Sequence, residues 1–125
     1  MNNKLVLSNL GHTWILDLDG TIVKHNGYKT DGHDSLLEGA KDFIRSIPEK
    51  DLIVIITSRE EAFREITERY LQENEIRYDH IIFNAPHGER ILLNDNKPGG
   101  LRMSYALAGE RDIWSIPEIE TDENI

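Results

Sequence analysis

Five consecutive apolar residues, Leu52-Ile53-Val54-Ile55-Ile56, constrain this chain more than any other feature. They read as a buried strand that stops at the polar triplet Thr57-Ser58-Arg59. A second run, Thr13-Trp14-Ile15-Leu16-Asp17-Leu18, is also continuous rather than alternating, the pattern of parallel strands covered on both faces. Two shorter runs, His80-Ile81-Ile82-Phe83 and Ile91-Leu92-Leu93-Asn94, give a third and a fourth strand. Met103 to Leu107 reads as a fifth strand, with a short helix as the other option.

Helical patterns fill the gaps. Ser35-Leu36-Leu37-Glu38 has capping-box spacing, and Leu36, Leu37, Ala40, Phe43, Ile44 and Ile47 follow as one apolar stripe that Pro48 ends. A second helix is predicted from about Glu60 to Asn74, with Phe63, Ile66, Tyr70 and Leu71 inward and Ser58 as its cap. Residues 22–33 are polar and include Gly27 and Gly32, so they form a loop or small hairpin. Strands alternating with helices imply an α/β layer with a mainly parallel sheet. Ligands in such sheets bind beyond the carboxyl ends of the strands. That edge is where Asp17 and Asp19, Thr57 and Ser58, and Asp95 are expected to meet. With no repeat and no linker, residues 1–125 read as one domain, with a core over about 13–110 and a frayed acidic tail over 116–125.

Composition narrows the partners. At 125 residues, with 38% hydrophobic and 30% charged residues, the chain can build one real core. The net charge of −9 repels nucleic acid and anionic membrane, whose binding rests on Lys and Arg. A small phosphorylated substrate stays compatible, because one divalent cation reverses the field inside a cleft. No cysteine is present, which removes disulfides and thiolate metal sites and fits a reducing cytoplasm. The start, Met1 to Asn9, has one cation and a short apolar run, without the features of a secretory signal. A soluble, cytoplasmic protein is the expectation. The five His residues share no helical ligand spacing, so zinc is disfavoured, and Gly20 stands at the wrong offset for a calcium loop.

The residues that carry chemistry are Asp17-Leu18-Asp19-Gly20-Thr21, where the first strand opens into a turn. Phosphate monoesters need charge neutralisation, a nucleophile and a proton donor for the leaving oxygen. Asp17 can attack phosphorus and form an aspartyl-phosphate. Asp19 can protonate the leaving group and later take a proton from the attacking water. Gly20 lets the backbone bring N–H groups close to the phosphoryl oxygens. Asp17, the carbonyl of Asp19, and Asp95 are hard oxygen ligands suited to Mg²⁺. Ser58 and Arg59 stand beside them as candidate substrate contacts, although Arg59 is as well suited to pair with a helix carboxylate.

These residues resemble the motifs of the haloacid dehalogenase (HAD) superfamily. Asp17 to Thr21 is similar to its first motif, Thr57 after an apolar strand to its second, and Asp95 in Leu92-Leu93-Asn94-Asp95 to its fourth. The resemblance covers roughly residues 13–100. It implies a Rossmann-like three-layer fold with a minimal cap, Mg²⁺ dependence, and an aspartyl-phosphate mechanism with Thr57 binding the phosphate. The closest subgroup is the short, nearly capless phosphatases linked to bacterial surface-polysaccharide synthesis. Two departures stand out. The third motif supplies a Lys, whereas Phe83-Asn84-Ala85-Pro86-His87 contains none, so Lys97 is the expected substitute and Arg90 a poorer one. The fourth motif often has two acids, whereas Asp95 lies between Asn94 and Asn96.

The resulting expectation is a Mg²⁺-dependent phosphohydrolase of small phosphomonoesters such as sugar phosphates. Its site should be open unless a neighbouring copy in a homo-oligomer covers it. The alternative is a HAD-like binding or regulatory protein without turnover, favoured by the missing Lys. A phosphoacceptor signalling domain fits less well, because its acidic pair precedes the acceptor strand.

Overall fold

The computed structural model describes residues 4–125, so the first three residues of the N-terminal stretch read above lie outside it. In chain order the elements are β1 (Lys4–Leu7), β2 (Thr13–Asp17), α1 (Gly27–Thr30), α2 (Ala40–Ser46), β3 (Leu52–Ile56), a 3₁₀ turn (Glu61–Phe63), α3 (Arg64–Glu73), β4 (His80–Ile82) and β5 (Glu118–Thr121). The fold is mixed α/β and Rossmann-like, with parallel pairing between all the named strands. Its contacts divide into two compact units, where the sequence suggested one domain.

The larger unit comprises Gly11–Pro86 and Gly109–Ser115. Its sheet has the order β2-β3-β4, in register from Thr13 beside Leu52 to Asp17 beside Ile56, and from Val54 beside His80 to Ile56 beside Ile82. Because the order runs steadily in one direction, right-handed crossovers would put both connecting helices on one side of the sheet. The core agrees: Ala40 and Ile44 from α2 and Leu71 from α3 join Leu16, Ile53 and Ile55 in one cluster. The opposite face is only partly covered, with Ile15 50% and Ile82 49% exposed. Coverage on both faces, expected from the continuous runs, is therefore fuller on one face and partial on the other among the described residues.

The helix expected from Ser35 starts later, at Ala40. Residues 35–37 are instead tied back to 22–24, through Lys24 N–H to Ser35 O and Leu37 N–H to Ile22 O. Extended pairing there takes the backbone groups that a helix would need, and Gly39 at φ +91° marks the start instead of a Ser cap. Residues 22–37 thus form a hairpin, longer than the loop or small hairpin expected over 22–33, with α1 at its tip. Ser58 does not cap α3 either. The 3₁₀ turn before that helix starts after Glu60, and the Ser58 hydroxyl donates to Pro86 O at 3.3 Å.

The smaller unit comprises residues up to Leu10, His87–Ala108 and Ile116–Ile125. Here the predicted frayed tail is instead a strand: β5 pairs with β1 in parallel, Leu5 beside Ile119, and Lys4 meets Glu120 at 3.3 Å. The polar–apolar alternation of Glu118-Ile119-Glu120 was the signal for it. Conversely, the strands expected at 91–94 and 103–107 are irregular. A strand exists only where its backbone groups find a partner, and Ile91 and Leu93 stand 82% and 90% exposed. No helix among the described residues is long and apolar enough to cross a membrane.

At the amino ends of the strands, buried Asp51 accepts from the Trp14 indole N–H and the His12 backbone N–H, each at 3.0 Å. Burial opposes its ionisation, but these hydrogen bonds and the nearby His12 outweigh it and hold the carboxyl below its ordinary 3.8. A depressed carboxyl adds stability above its unfolded value and loses it as pH falls through the folded one. Asp51→Ala should therefore cost about 1–3 kcal/mol at neutral pH in urea denaturation. The gap from the parent protein should narrow once the pH drops below 3.8.

Candidate functional site

The register of the larger unit sets the site. Asp17 ends β2 directly beside Ile56, so the next residue on β3, Thr57, emerges at the same carboxyl edge. Beyond Asp17 the chain turns tightly. Thr21, Ile22 and Val23 N–H groups all converge on Leu18 O, at 2.9–3.2 Å, and Gly20 N–H donates to Val23 O at 2.7 Å. Gly20 sits at φ +84°, in the left-handed region that side chains rarely adopt. The Thr21 hydroxyl donates to Asp17 Oδ2 at 3.2 Å. None of these turn bonds uses the Asp19 carbonyl, among the described residues.

Asp19 is held by Arg59. The guanidinium donates through Nε to Oδ2 and through Nη2 to Oδ1, both at 2.9 Å, a fork on a fork. The same group donates to both carboxylate oxygens of Asp34, at 3.1 and 2.6 Å, and to Thr67 Oγ1 at 2.9 Å. Tyr28 stacks on it, with the guanidinium carbon 3.9 Å from the ring centre, and Phe63 packs edge-on against Tyr28. Arg59 is only 3% exposed. Burial opposes its charge, but the hydrogen bonds and attraction of Asp19 and Asp34 prevail and raise it above its ordinary value. Arg59 was expected to be a substrate contact or a helix salt bridge. Its guanidinium donors go instead to Asp19, Asp34 and the Thr67 hydroxyl.

Thr57 is 1% exposed. Its hydroxyl accepts the Arg59 N–H at 3.1 Å, while its own N–H donates to Ile82 O and its carbonyl accepts from Ala85 N–H. A hydroxyl that accepts one bond keeps its own proton to donate. Asn84, at φ +60°, completes this corner: its N–H donates to Arg59 O and its Oδ1 accepts from Glu61 N–H.

Asp95 and Lys97 fall in the smaller unit, on its irregular run, and both are exposed. Among the described residues no three His, Asp or Glu side chains gather as a group able to hold a metal. The structure thus brings Asp17, Asp19, Gly20, Thr57, Ser58 and Arg59 into one unit, and leaves Asp95 and Lys97 in the other.

Sequence reasoning missed Asp34 and Thr67, and gave Tyr28 no link to Arg59. It also missed the segment 109–115. Asp112 N–H donates to Gly20 O at 2.8 Å, and Asp112 Oδ1 accepts from His25 N–H at 2.6 Å. Asp34 lay in a polar loop, and no local pattern signalled a pairing across 25 residues. Arg111-Asp112 had no periodic context to mark it.

No protein-family model matches the chain, and no curated protein matches it. Among solved structures, a chain from a Pnkp1/Rnl/Hen1 complex is 28% identical with a TM-score of 0.52, covering 66% of this chain and 31% of its own length. A chain from the Pnkp1/Rnl/Hen1 RNA repair complex is 30% identical with a TM-score of 0.52, over 65% of this chain and 28% of its own. The present chain therefore corresponds to less than a third of either.

Three substitutions test this geometry. Asp34→Ala strips a buried guanidinium of one of its two carboxylates and should lower stability by about 3 kcal/mol in chemical denaturation. Asp31→Ala, which breaks an exposed pair with Lys24, should leave stability unchanged. Gly20→Ala places a methyl group 3.1 Å from Arg111 Cγ at a left-handed position. It should cost about 1–2 kcal/mol in the same assay.

Proposed function

We propose that this chain is a Mg²⁺-dependent, HAD-like phosphohydrolase in which Asp17 is the nucleophile and Asp19 the general acid and base. The observation that carries the reading is the carboxyl-edge arrangement, with Asp17 on a glycine turn, Asp19 fixed by a buried guanidinium, and the Thr57 hydroxyl on the neighbouring strand. The likeness to chains of an RNA repair complex is compatible with phosphoryl chemistry.

In this reading an Asp17 oxygen attacks phosphorus as the bond to the leaving oxygen breaks. Asp19 donates its proton to that oxygen. Water then attacks the aspartyl-phosphate, gives its proton to Asp19, and restores the Asp17 carboxylate as phosphate departs. Arg59 fixes the Asp19 carboxyl plane, and one hydrogen bond per oxygen leaves a second lone pair on each for the proton transfers. Thr57 donates its hydroxyl proton to a phosphoryl oxygen.

Asp17 and the uncommitted Asp19 carbonyl are the oxygen donors that would hold Mg²⁺, an ion that needs few protein ligands because it keeps several waters. Bound there, Mg²⁺ supplies charge neutralisation for the incoming dianion. The superfamily resemblance nominates Asp95 as a further acid and Lys97 as a replacement for the third-motif Lys, but both lie in the other unit and carry no part of this reading.

For substrate, the net charge of −9 favours small phosphomonoesters over long polyanions. The structural likeness to an RNA repair complex favours a second reading, a phosphate at an RNA end. A HAD-like binding protein without turnover is the third outcome that assays must separate.

Hydrolysis of an aryl phosphate should require Mg²⁺, and Asp17→Asn should abolish it. Asp19→Asn should lower it by roughly 10²–10⁴-fold. Turnover that ignores chelator, or that survives Asp17→Asn, would exclude the mechanism. Comparing kcat/KM for sugar phosphates with that for phosphorylated oligoribonucleotides decides between the substrates.

A further inference from the structure

Phosphate arriving at this turn meets Asp17, Asp19 and, behind Asp19, Asp34. The cations nearby are largely committed. Arg59 is buried and spends its donors on Asp19, Asp34 and Thr67, and Lys24 is paired with Asp31 at 2.8 Å. Lys29 lies over the Tyr28 ring at 5.6 Å, and Arg111 is the cation set against Gly20 itself. Arg111 is exposed and makes no hydrogen bond or ion pair among the described residues.

Its stem lies on the phosphate turn. A Cβ built on Gly20 would stand 3.1 Å from Arg111 Cγ and 3.9 Å from Arg111 Cα. The guanidinium carbon lies three bonds beyond that Cγ, on a flexible stem that starts at the turn following Asp19. The placement is anchored on both sides. Asp112 clamps the turn through Gly20 O and the His25 N–H, and Trp114 packs against Phe43 at 5.4 Å and against Gly39. Gly20 thus has a second physical role: a side chain there would push Arg111 away.

Resting on the phosphohydrolase reading, we infer that Arg111 is the phosphate-contacting cation of this site, donating from its guanidinium to non-bridging oxygens of the substrate phosphoryl group. Its planar fork suits two oxygens at once, which a Lys in the same place would not match. It reaches the site from residues 109–115 and belongs to none of the motifs that carry the superfamily resemblance.

Orthophosphate affinity by titration calorimetry, with Mg²⁺ present, tests this without requiring turnover. KM and kcat for an aryl phosphate are measured alongside, on the parent protein, Arg111→Gln and Arg111→Lys. Arg111→Gln should weaken orthophosphate binding by about ten- to a hundredfold and raise KM in parallel. Arg111→Lys should recover part of the loss, and unfolding temperatures should not change because the side chain is exposed. A parent protein that binds and hydrolyses normally, with an Arg111→Gln variant that does the same, overturns this inference alone. A parent protein that neither binds phosphate nor turns over overturns the phosphohydrolase reading and this inference with it.

Discussion

One buried guanidinium organises the larger unit of this protein. Arg59 joins the turn after the first strand of the central sheet, through Asp19, to the hairpin that follows, through Asp34, and to α3, through Thr67. These three segments are far apart in sequence, and each gives a polar group that would be costly to bury alone. Grouped, they are satisfied: no buried side-chain nitrogen or oxygen among the described residues lacks a hydrogen bond. Removing Arg59 would leave two carboxylates without their counter-charge, and removing Asp34 or Thr67 would leave buried guanidinium donors unpaired, so the arrangement is held as a whole.

That constraint links fold to chemistry. The parallel register alone brings Asp17 and Thr57 to the same edge, but leaves Asp19 on a turn free to rotate. The fork from Arg59 fixes the plane of its carboxylate, and Tyr28 closes the far side of the guanidinium. Reaction geometry in such sites depends on how firmly each group is held, because small misplacements cost large factors in rate. The hairpin of residues 22–37 thus does more than fill the space where a cap could sit. Through Asp34 and Tyr28 it supports the group that supports Asp19.

Much of this was legible in the sequence. The runs 13–18, 52–56 and 80–83 became strands, because continuous apolar runs ended by polar residues have few other uses in an α/β chain. Asp17, Asp19 and Thr57 followed from those strand ends. What stayed hidden depends on distance. Ser35 and Ser58 have capping spacing, yet residues 35–37 pair with the hairpin and Ser58 bonds to Pro86, since tertiary partners outweigh a local cap preference. Arg59 looked like a substrate contact because its two carboxylate partners lie 40 and 25 residues away. The strand expected at 91–94 had the right composition, but no described strand pairs with it. Glu118 to Thr121 had the weaker composition and a partner in Lys4 to Leu7.

The central claim is that a phosphoryl group passes through the Asp17 carboxylate. Acid quenching during turnover, followed by borohydride reduction, converts an aspartyl-phosphate into homoserine, which peptide mass spectrometry locates. The account predicts homoserine at position 17 and at no other acidic residue. Turnover with an unmodified Asp17, or with the modification on a different carboxylate, would contradict it.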